Sequence, residues 1–195
     1  THAVAFTGSI PAAQAVARAA AERFKPVLTE ASGNDPFIVM PSAPIDMVAR
    51  GAAFAAFLNC GQVCTSAERF YVHDDVFDAF VEALAAEATA LRLGSGLERV
   101  DIGPMASERE RHRVEAVVAR AVEQGAMVVC GGKRPDAMST GWFYEPTVLE
   151  VTHELDIMHG ETFGPLAPVC RASRLDEAIV LANDSGGGLG ANMYT

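Results

Sequence analysis

Basic residues, cysteines and long apolar runs are all scarce in this sequence. Against 25 Asp and Glu residues, the 195-residue chain has only 15 Lys and Arg, which gives a formal net charge of −10. This balance disfavours binding to nucleic acid and adhesion to anionic membranes, because both need a basic face. The longest apolar run, Ala52 to Leu58, is too short to cross a bilayer. We therefore expect no nucleic-acid partner and no membrane partner.

Cysteine is rare, and histidine follows no ligand pattern. The four cysteines, Cys60, Cys64, Cys130 and Cys170, form neither a C-x-x-C pair nor a zinc motif, and the five histidines lack metal-ligand spacing. The sequence therefore predicts no metal site and no disulfide framework. Reduced thiols in a cytoplasmic protein are the expected state. Because the chain starts without Met and ends in a strand-like run, we interpret it as a piece of a longer protein.

Strand-like and helix-like segments alternate along the chain. This order is typical of an α/β fold with a mainly parallel sheet flanked by helices. Short apolar or β-branched runs predict strands at 2–7, 27–30, 37–40, 68–73, 126–130, 143–151, 166–171 and 191–195. Capping residues and apolar positions at helical spacing predict helices at 9–21, 45–58, 74–88, 107–123 and 175–183.

Local patterns add four finer expectations. The apolar run 126–130 reads as a buried strand, and Val122 is expected to face the core with the other valines of its helix. The segment 107–110 (Ser-Glu-Arg-Glu) resembles a capping box, in which serine and glutamate side chains each bond the other's backbone N–H. Ser9 is expected to cap the first helix.

Cys64 is the first candidate for chemistry. It follows a predicted buried helix in the segment 59–64 (Asn-Cys-Gly-Gln-Val-Cys), where Gly61 permits a sharp turn. A thiol on that turn could lie at the floor of a cleft, with its own backbone N–H facing a developing oxyanion. Composition alone favours a buried, inert thiol. Both interpretations stay open for Cys64, whereas the other three cysteines are interpreted as core residues.

Three further motifs place polar groups where strands end. Glu30 closes the predicted strand 27–30, and ligands of α/β sheets bind at the carboxyl ends of strands. Residues 6–9 (Phe-Thr-Gly-Ser) lead from a strand into a helix, whose free N–H groups favour an anion such as pyrophosphate. Residues 161–165 (Glu-Thr-Phe-Gly-Pro) put a carboxylate on a turn, where it could accept hydrogen bonds from a sugar diol. A solvated Glu, a Gly-Ser turn and a Gly-Pro turn are the simpler alternatives.

In this order, the motifs resemble the NAD(P)-dependent aldehyde dehydrogenase superfamily. The similarity covers essentially the whole chain, and the spacing of Glu30, Cys64 and Glu161 also suits the family. The matching pieces are residues 6–9, the Glu30-x-x-Gly33 block, 61–64 (Gly-Gln-Val-Cys), 103–104 (Gly-Pro), 145–148 (Glu-Pro-Thr-Val), 161–165 and 188–191 (Gly-Leu-Gly-Ala). The chain departs from the usual pattern at Ser32, where the family has Gly, and at Gly160, where a second acid is common.

The resemblance implies two domains and a role for each candidate site residue. Residues 1–32 would be the end of a Rossmann-like cofactor domain, and residues 33–195 a catalytic domain that is incomplete at its C-terminus. Cys64 would be the nucleophile that forms a thiohemiacetal and then a thioester, and Glu30 the general base that activates water. The residues implied to lie at NAD or NADP are Thr7, Gly8, Ser9, Glu161 and Phe163.

The resemblance also implies the partners. They are an aldehyde substrate, for which semialdehydes are the closest likeness, and further copies of the chain in a homodimer or homotetramer of the full-length protein. Two other functions stay open from the residues alone. One is a Cys-dependent esterase or hydrolase that uses Cys64 and Glu30 without a cofactor. The other is a non-catalytic binding or assembly module with a relic active site, to which the departure at Ser32 points.

Overall fold

The computed structural model describes all 195 residues, which form eight strands and five α-helices. The strands are β1 (Val4–Thr7), β2 (Val27–Glu30), β3 (Asp35–Val39), β4 (Ala67–His73), β5 (Met127–Cys130), β6 (Thr147–Val151), β7 (Leu166–Ala172) and β8 (Asn192–Tyr194). The helices are α1 (Ile10–Ala21), α2 (Ile45–Phe57), α3 (Phe77–Ala90), α4 (Glu108–Glu123) and α5 (Leu175–Asn183). No helix has both the length and the apolar character that a membrane crossing requires.

The strands form two sheets. β1 and β2 pair in parallel, with α1 as their connection. The other six strands lie in the order β5-β6-β7-β4-β3-β8, and every neighbouring pair is parallel except β5 with β6. The predicted α/β fold with a mainly parallel sheet flanked by helices is confirmed. The gap between the two sheets falls at residues 31–34, next to the expected boundary at residue 32.

The core lies on the two central strands, β4 and β7. Six of the seven residues in each are buried, which is usual for parallel strands covered on both faces. Phe70 of β4 packs against Phe37 of β3, with ring centroids 5.1 Å apart, and against Phe80 of α3 at 6.3 Å. Each such aromatic pair contributes about 1 kcal/mol beyond its burial. The loops at the carboxyl end of the sheet therefore follow closely packed central strands.

Two expectations about burial are wrong. β5 is largely exposed rather than buried: Met127 is 57% exposed and Val128 is 38% exposed, because β5 is the outermost strand and has a neighbour on one side only. Val122 is 46% exposed. The buried face of α4 carries Val114, Val118 and Ala121, and Val122 lies one residue, or about 100°, round the helix from Ala121, at the flank of that face.

The expected helix caps are only half right. Ser107 does cap α4, since its Oγ accepts a hydrogen bond from the Glu110 N–H at 3.3 Å. The reciprocal bond of a capping box is missing, because the Glu110 carboxylate instead pairs with Arg113 at 2.9 Å. Ser9 occupies the N-cap position of α1, but its side chain makes no capping hydrogen bond. The expectation that its hydroxyl caps the helix is therefore wrong.

Two charged side chains lie next to each other in the middle of the sheet. Glu68 is 2% exposed and Arg69 is 1% exposed, and as successive residues of β4 they point to opposite faces. The Arg69 Nε donates to the Asn34 carbonyl at 2.9 Å, and one terminal nitrogen donates to the Ala182 carbonyl at 3.0 Å. Arg69 therefore ties the chain ahead of β3 and the last turn of α5 to the central strand.

Glu68 holds the loop that precedes β7. Its Oε2 accepts a hydrogen bond from the Thr162 N–H and its Oε1 accepts one from the Phe163 N–H, both at 2.7 Å. Phe163 has φ 42°, a left-handed conformation that non-glycine residues rarely adopt, so the two bonds stabilise an otherwise strained backbone. Burial raises the pKa of the Glu68 carboxyl to about 7; the two hydrogen bonds lower it, and the nearby Glu161 raises it further.

We expect the stability of the chain to depend on pH through Glu68. Between its ordinary pKa of 4.5 and about 7, the folded chain holds a proton that the unfolded chain has released, so the free energy of unfolding falls as pH rises through this window. Urea unfolding of the wild type and Glu68→Gln at several pH values tests this. The wild type should lose about 3 kcal/mol relative to the variant over the window. A constant difference between the two proteins would refute the assignment.

Candidate active site

A cleft of about 630 Å³ lies where the small β1–β2 unit meets the carboxyl end of the large sheet. This is the usual place for ligands of open α/β sheets. It brings together segments that are far apart in the sequence. The lining residues are Thr7, Gly8, Ser9, Ala31, Ser32, Gln62, Val63, Cys64, Glu110, Arg113, Glu161 and Phe163. Six of the seven predicted site residues line this cleft, and Glu30 is the exception.

Cys64 reaches the cleft on a tight turn. After α2 ends, Asn59, Cys60 and Gly61 have φ angles of 52°, 61° and 67°, which is three successive left-handed residues. Only glycine fits at position 61, because the Cβ of any other residue would lie 2.0 Å from the Gly164 carbonyl oxygen. The Ser66 hydroxyl donates to the Ala55 carbonyl at 2.9 Å and fixes the far end of the turn to α2. The predicted sharp turn is therefore present.

The surroundings of Cys64 differ from those of the other cysteines. Its side chain is partly exposed, and its backbone N–H donates to no oxygen of the chain. Cys60 is 1% exposed and Cys170 is 5% exposed, and burial raises the pKa of their thiols to about 12 and about 11. Cys130, expected in the core, is only half-buried because it lies on the edge strand β5. The two deeply buried thiols, Cys60 and Cys170, do not line the cleft.

Gly33 joins the turn that carries Cys64 to the loop that carries Glu161. A Cβ at Gly33 would lie 1.9 Å from the Cys64 carbonyl oxygen, so only glycine allows this approach. The Gly33 N–H donates to Glu161 Oε1 at 3.0 Å. Ser32, by contrast, lines the cleft without a left-handed φ. The backbone at 32 therefore does not require the glycine that is usual in the family pattern, whereas the backbone at 33 does.

The opposite wall carries an ion pair that the sequence did not single out. Arg113 pairs with Glu110 at 2.9 Å and donates to the Phe163 carbonyl at 3.2 Å. On the sequence, Glu110 and Arg113 look like an ordinary i, i+3 pair on the surface of α4. Their place in the cleft depends on the docking of α4 against the loop at Phe163. No local signal reveals that contact.

The start of α1 forms the third wall. Thr7, Gly8 and Ser9 all line the cleft, and the Gly8 N–H donates to the Glu30 carbonyl at 3.1 Å. Because the Ser9 side chain leaves the helix uncapped, the first N–H groups of α1 remain available to an anion. The first turn carries no acidic residue that would repel one. This arrangement fits a phosphate group of a dinucleotide.

Glu30 lies at the rim rather than inside. It is the last residue of β2, its side chain is exposed, and its neighbours Ala31 and Ser32 line the cleft in its place. No group of the chain donates a hydrogen bond to its carboxylate. Glu30 is thus adjacent to the cleft in sequence, with its carboxylate unrestrained by any partner.

Comparison with known proteins covers the whole chain. A sequence model of the aldehyde dehydrogenase family matches residues 1–195. The chain is 44% identical over 195 residues to the NADP(+) succinate-semialdehyde dehydrogenase of Mycobacterium leprae and 43% identical to that of Mycobacterium bovis. In both cases the match covers 99% of this chain and 42% of the relative. The chain thus spans well under half the length of these relatives.

Solved structures give the same result. The structure of 3,6-anhydro-L-galactose dehydrogenase in complex with NAP superposes with a TM-score of 0.97 at 41% identity, covering 100% of this chain and 42% of that one. Lactaldehyde dehydrogenase from Escherichia coli superposes with a TM-score of 0.95 at 40% identity, covering 100% and 41%. With the family model matched from end to end, the chain belongs to the aldehyde dehydrogenase family.

Proposed function

We propose that this chain is the nucleophile-bearing part of an enzyme that oxidises an aldehyde to a carboxylic acid with NAD+ or NADP+. The single observation that carries the proposal is the cleft, which puts the Cys64 thiol, the uncapped start of α1 and the Glu161 carboxylate around one space. Residues 1–32 would be the end of the cofactor domain and residues 33–195 most of the catalytic domain. The cytoplasmic location and the homodimer or homotetramer stay predictions.

Cys64 is the nucleophile in this proposal. Its thiolate adds to the aldehyde carbon and gives a thiohemiacetal, whose oxyanion can accept a hydrogen bond from the free Cys64 N–H. The nicotinamide, when bound, supplies the acceptor for the hydride that leaves this carbon. The thioester that remains on Cys64 is readily attacked by water. The exposed Glu30 carboxylate at the rim, free of partners, takes a proton from that water as its oxygen adds to the thioester carbon. The C–S bond then breaks, which releases the carboxylic acid and returns the Cys64 thiolate.

The residues present fit a dinucleotide. The N-terminus of α1 would hold the pyrophosphate, with Thr7 and Gly8 alongside. Glu161 accepts a hydrogen bond from Gly33 through Oε1 alone, so Oε2 is left for a ribose hydroxyl. Phe163 packs beside it, on the backbone that Glu68 fixes. Relatives named for NADP(+), and solved structures that contain NAD+ or NAP, support both cofactors.

The substrate class follows the relatives rather than the cleft. The 44% identical protein from Mycobacterium leprae acts, by its name, on succinate semialdehyde, and we propose a semialdehyde for this chain too. Arg113, the basic residue of the cleft, is engaged by Glu110 and by the Phe163 carbonyl. A Cys-dependent hydrolase is less well supported, because no histidine lines the cleft to serve as the base for Cys64. The relic-module alternative is weakened by the ordinary backbone at Ser32.

We expect Cys64 to be the most reactive of the four thiols. Iodoacetamide labelling of the 195-residue chain, followed by peptide mass spectrometry over time, should modify Cys64 first. Cys60 and Cys170 should lag at least about 10-fold, because burial both blocks access and disfavours their thiolates. Cys64→Ser should remove the fast phase and leave the slow phases unchanged. Faster labelling of Cys130 or Cys170 would remove Cys64 from its assigned role.

We expect Glu30→Gln to separate the two halves of the reaction. In the full-length protein, rapid-mixing measurements should show a first-turnover burst of NAD(P)H close to that of the wild type. Steady-state turnover should fall by at least about 10²-fold, because the thioester is no longer hydrolysed by activated water.

The control for this variant is Glu22→Gln, an exposed carboxylate at the end of α1, which should leave both phases intact. An unchanged steady-state rate in Glu30→Gln would contradict the assignment of the base. Loss of the burst with the steady state would instead place Glu30 in the formation of the thioester.

A further inference from the structure

A second group of potential ligands lies outside the cleft. It consists of His153 in the turn after β6, His159 after the 3₁₀ turn Asp156–Met158, and Asp184 directly after α5. One ligand atom from each side chain lies within 4.8 Å of the other two. None of the three lines the cleft that holds Cys64. We call them the His-His-Asp cluster.

One distance within the cluster already suits a small cation. His153 Nε2 lies 3.1 Å from Asp184 Oδ2. Ligand atoms on a tetrahedral metal with bonds of about 2.0 to 2.1 Å are separated by about 3.3 Å. The His153–Asp184 edge is therefore already close to the required length. His159 is exposed and lies edge-on to His153, with ring centroids 4.9 Å apart, so its ring would have to rotate to bring a nitrogen to coordination distance.

His153 is oriented as metal-binding histidines are. Its side chain is only 10% exposed, and its Nδ1 lies 3.1 Å from the hydroxyl of Tyr71, a fully buried residue of β4. Arg69 donates to that same hydroxyl at 3.2 Å and so fixes its position. A partner on one ring nitrogen sets the direction of the other, and such partners are typical of histidine ligands. The result is an Nε2 directed at Asp184.

The charge around the cluster also permits a cation. The Asp184 carboxylate is 68% exposed, so solvent can complete the coordination. Glu154, which follows His153 in the chain and is exposed, adds a second carboxylate to this turn. The Arg69 guanidinium is the opposing charge, and it lies behind Tyr71 with its nitrogens directed at the Asn34 and Ala182 carbonyls. The local carboxylates therefore outnumber the one buried guanidinium.

We propose that the His-His-Asp cluster is a binding site for a divalent transition metal of the zinc, cobalt and nickel class. The ligands are His153 Nε2, one ring nitrogen of His159 and a carboxylate oxygen of Asp184, and water occupies the fourth position. Two imidazoles and one carboxylate favour these ions over magnesium or calcium, which prefer oxygen ligands alone. The proposal stands independently of the proposed dehydrogenase function.

The site would join separate parts of the fold. His153 and His159 flank the turn that leads to Glu161, and Asp184 begins the connection from α5 to β8. A bound ion would cross-link these two segments. The segment with His153 and His159 continues into the loop whose backbone is hydrogen-bonded to Glu68. Metal occupancy would therefore restrain the segment that carries Glu161.

Cobalt binding to the 195-residue chain tests the proposal. The measurement is made with all four cysteines replaced by serine, because a thiolate such as Cys64 would otherwise compete for the metal. Titration should show one Co²⁺ per chain, with a visible d–d spectrum of a four-coordinate ion. Circular dichroism and urea unfolding first establish that the cysteine-free chain is folded. If it is not, the same titration is made on the wild type with its two accessible thiols, Cys64 and Cys130, alkylated.

Variants at the two exposed ligands give the decisive comparison. His159→Ala and Asp184→Asn should each weaken Co²⁺ binding by at least about 10-fold and lose the four-coordinate spectrum. His112→Ala and Asp176→Asn, exposed residues elsewhere on the surface, should bind as the parent does. No one-to-one binding in the parent would overturn the proposal. Equal binding in the ligand variants and their controls would do so as well.

Discussion

The structure depends on two ionisable side chains, one acidic and one basic, that lie buried side by side in the central strand. Glu68 and Arg69 occupy successive positions of β4, so the pleat directs one to each face of the sheet. Glu68 fixes the backbone of Thr162 and Phe163, whereas Arg69 fixes the carbonyls of Asn34 and α5. Buried charges are costly unless every polar atom finds a partner, and here backbone groups supply those partners. The loops that form the cleft are thereby hydrogen-bonded to a buried central strand.

Close approaches between backbones complete the cleft. Gly33 allows the chain to pass against the Cys64 carbonyl, and Gly61 allows the turn that carries Cys64 to pass against Gly164. Both contacts would be blocked by a single methyl group. The hydrogen bond from the Gly33 N–H to Glu161 then joins the turn that carries Cys64 to the loop that carries Glu161. Glu68, Gly33 and Gly61 therefore all position the two segments that carry Cys64 and Glu161.

Much of the fold follows from the sequence, since alternating apolar strands and amphipathic helices admit few architectures. Errors arose where position in the sheet decides burial. β5 has the composition of a buried strand, yet its place at the edge leaves Met127 exposed. The site motifs around Cys64 and Glu161 are local and were recognisable. Glu68 and the His-His-Asp cluster were not, because the backbone partners of Glu68 lie 94 and 95 residues away and Asp184 lies 31 residues from His153, so only the tertiary fold brings them together.

The central claim is that Cys64 carries the substrate as a thioester during aldehyde oxidation. Peptide mapping of the full-length protein, quenched in acid during turnover of a semialdehyde with NAD(P)+, tests it most directly. The account expects the peptide that contains Cys64 to carry an acyl group, which has the mass of the aldehyde substrate less one hydrogen atom. Hydroxylamine should remove this acyl group. An acyl group on another cysteine, or turnover by Cys64→Ser at the wild-type rate, would contradict it.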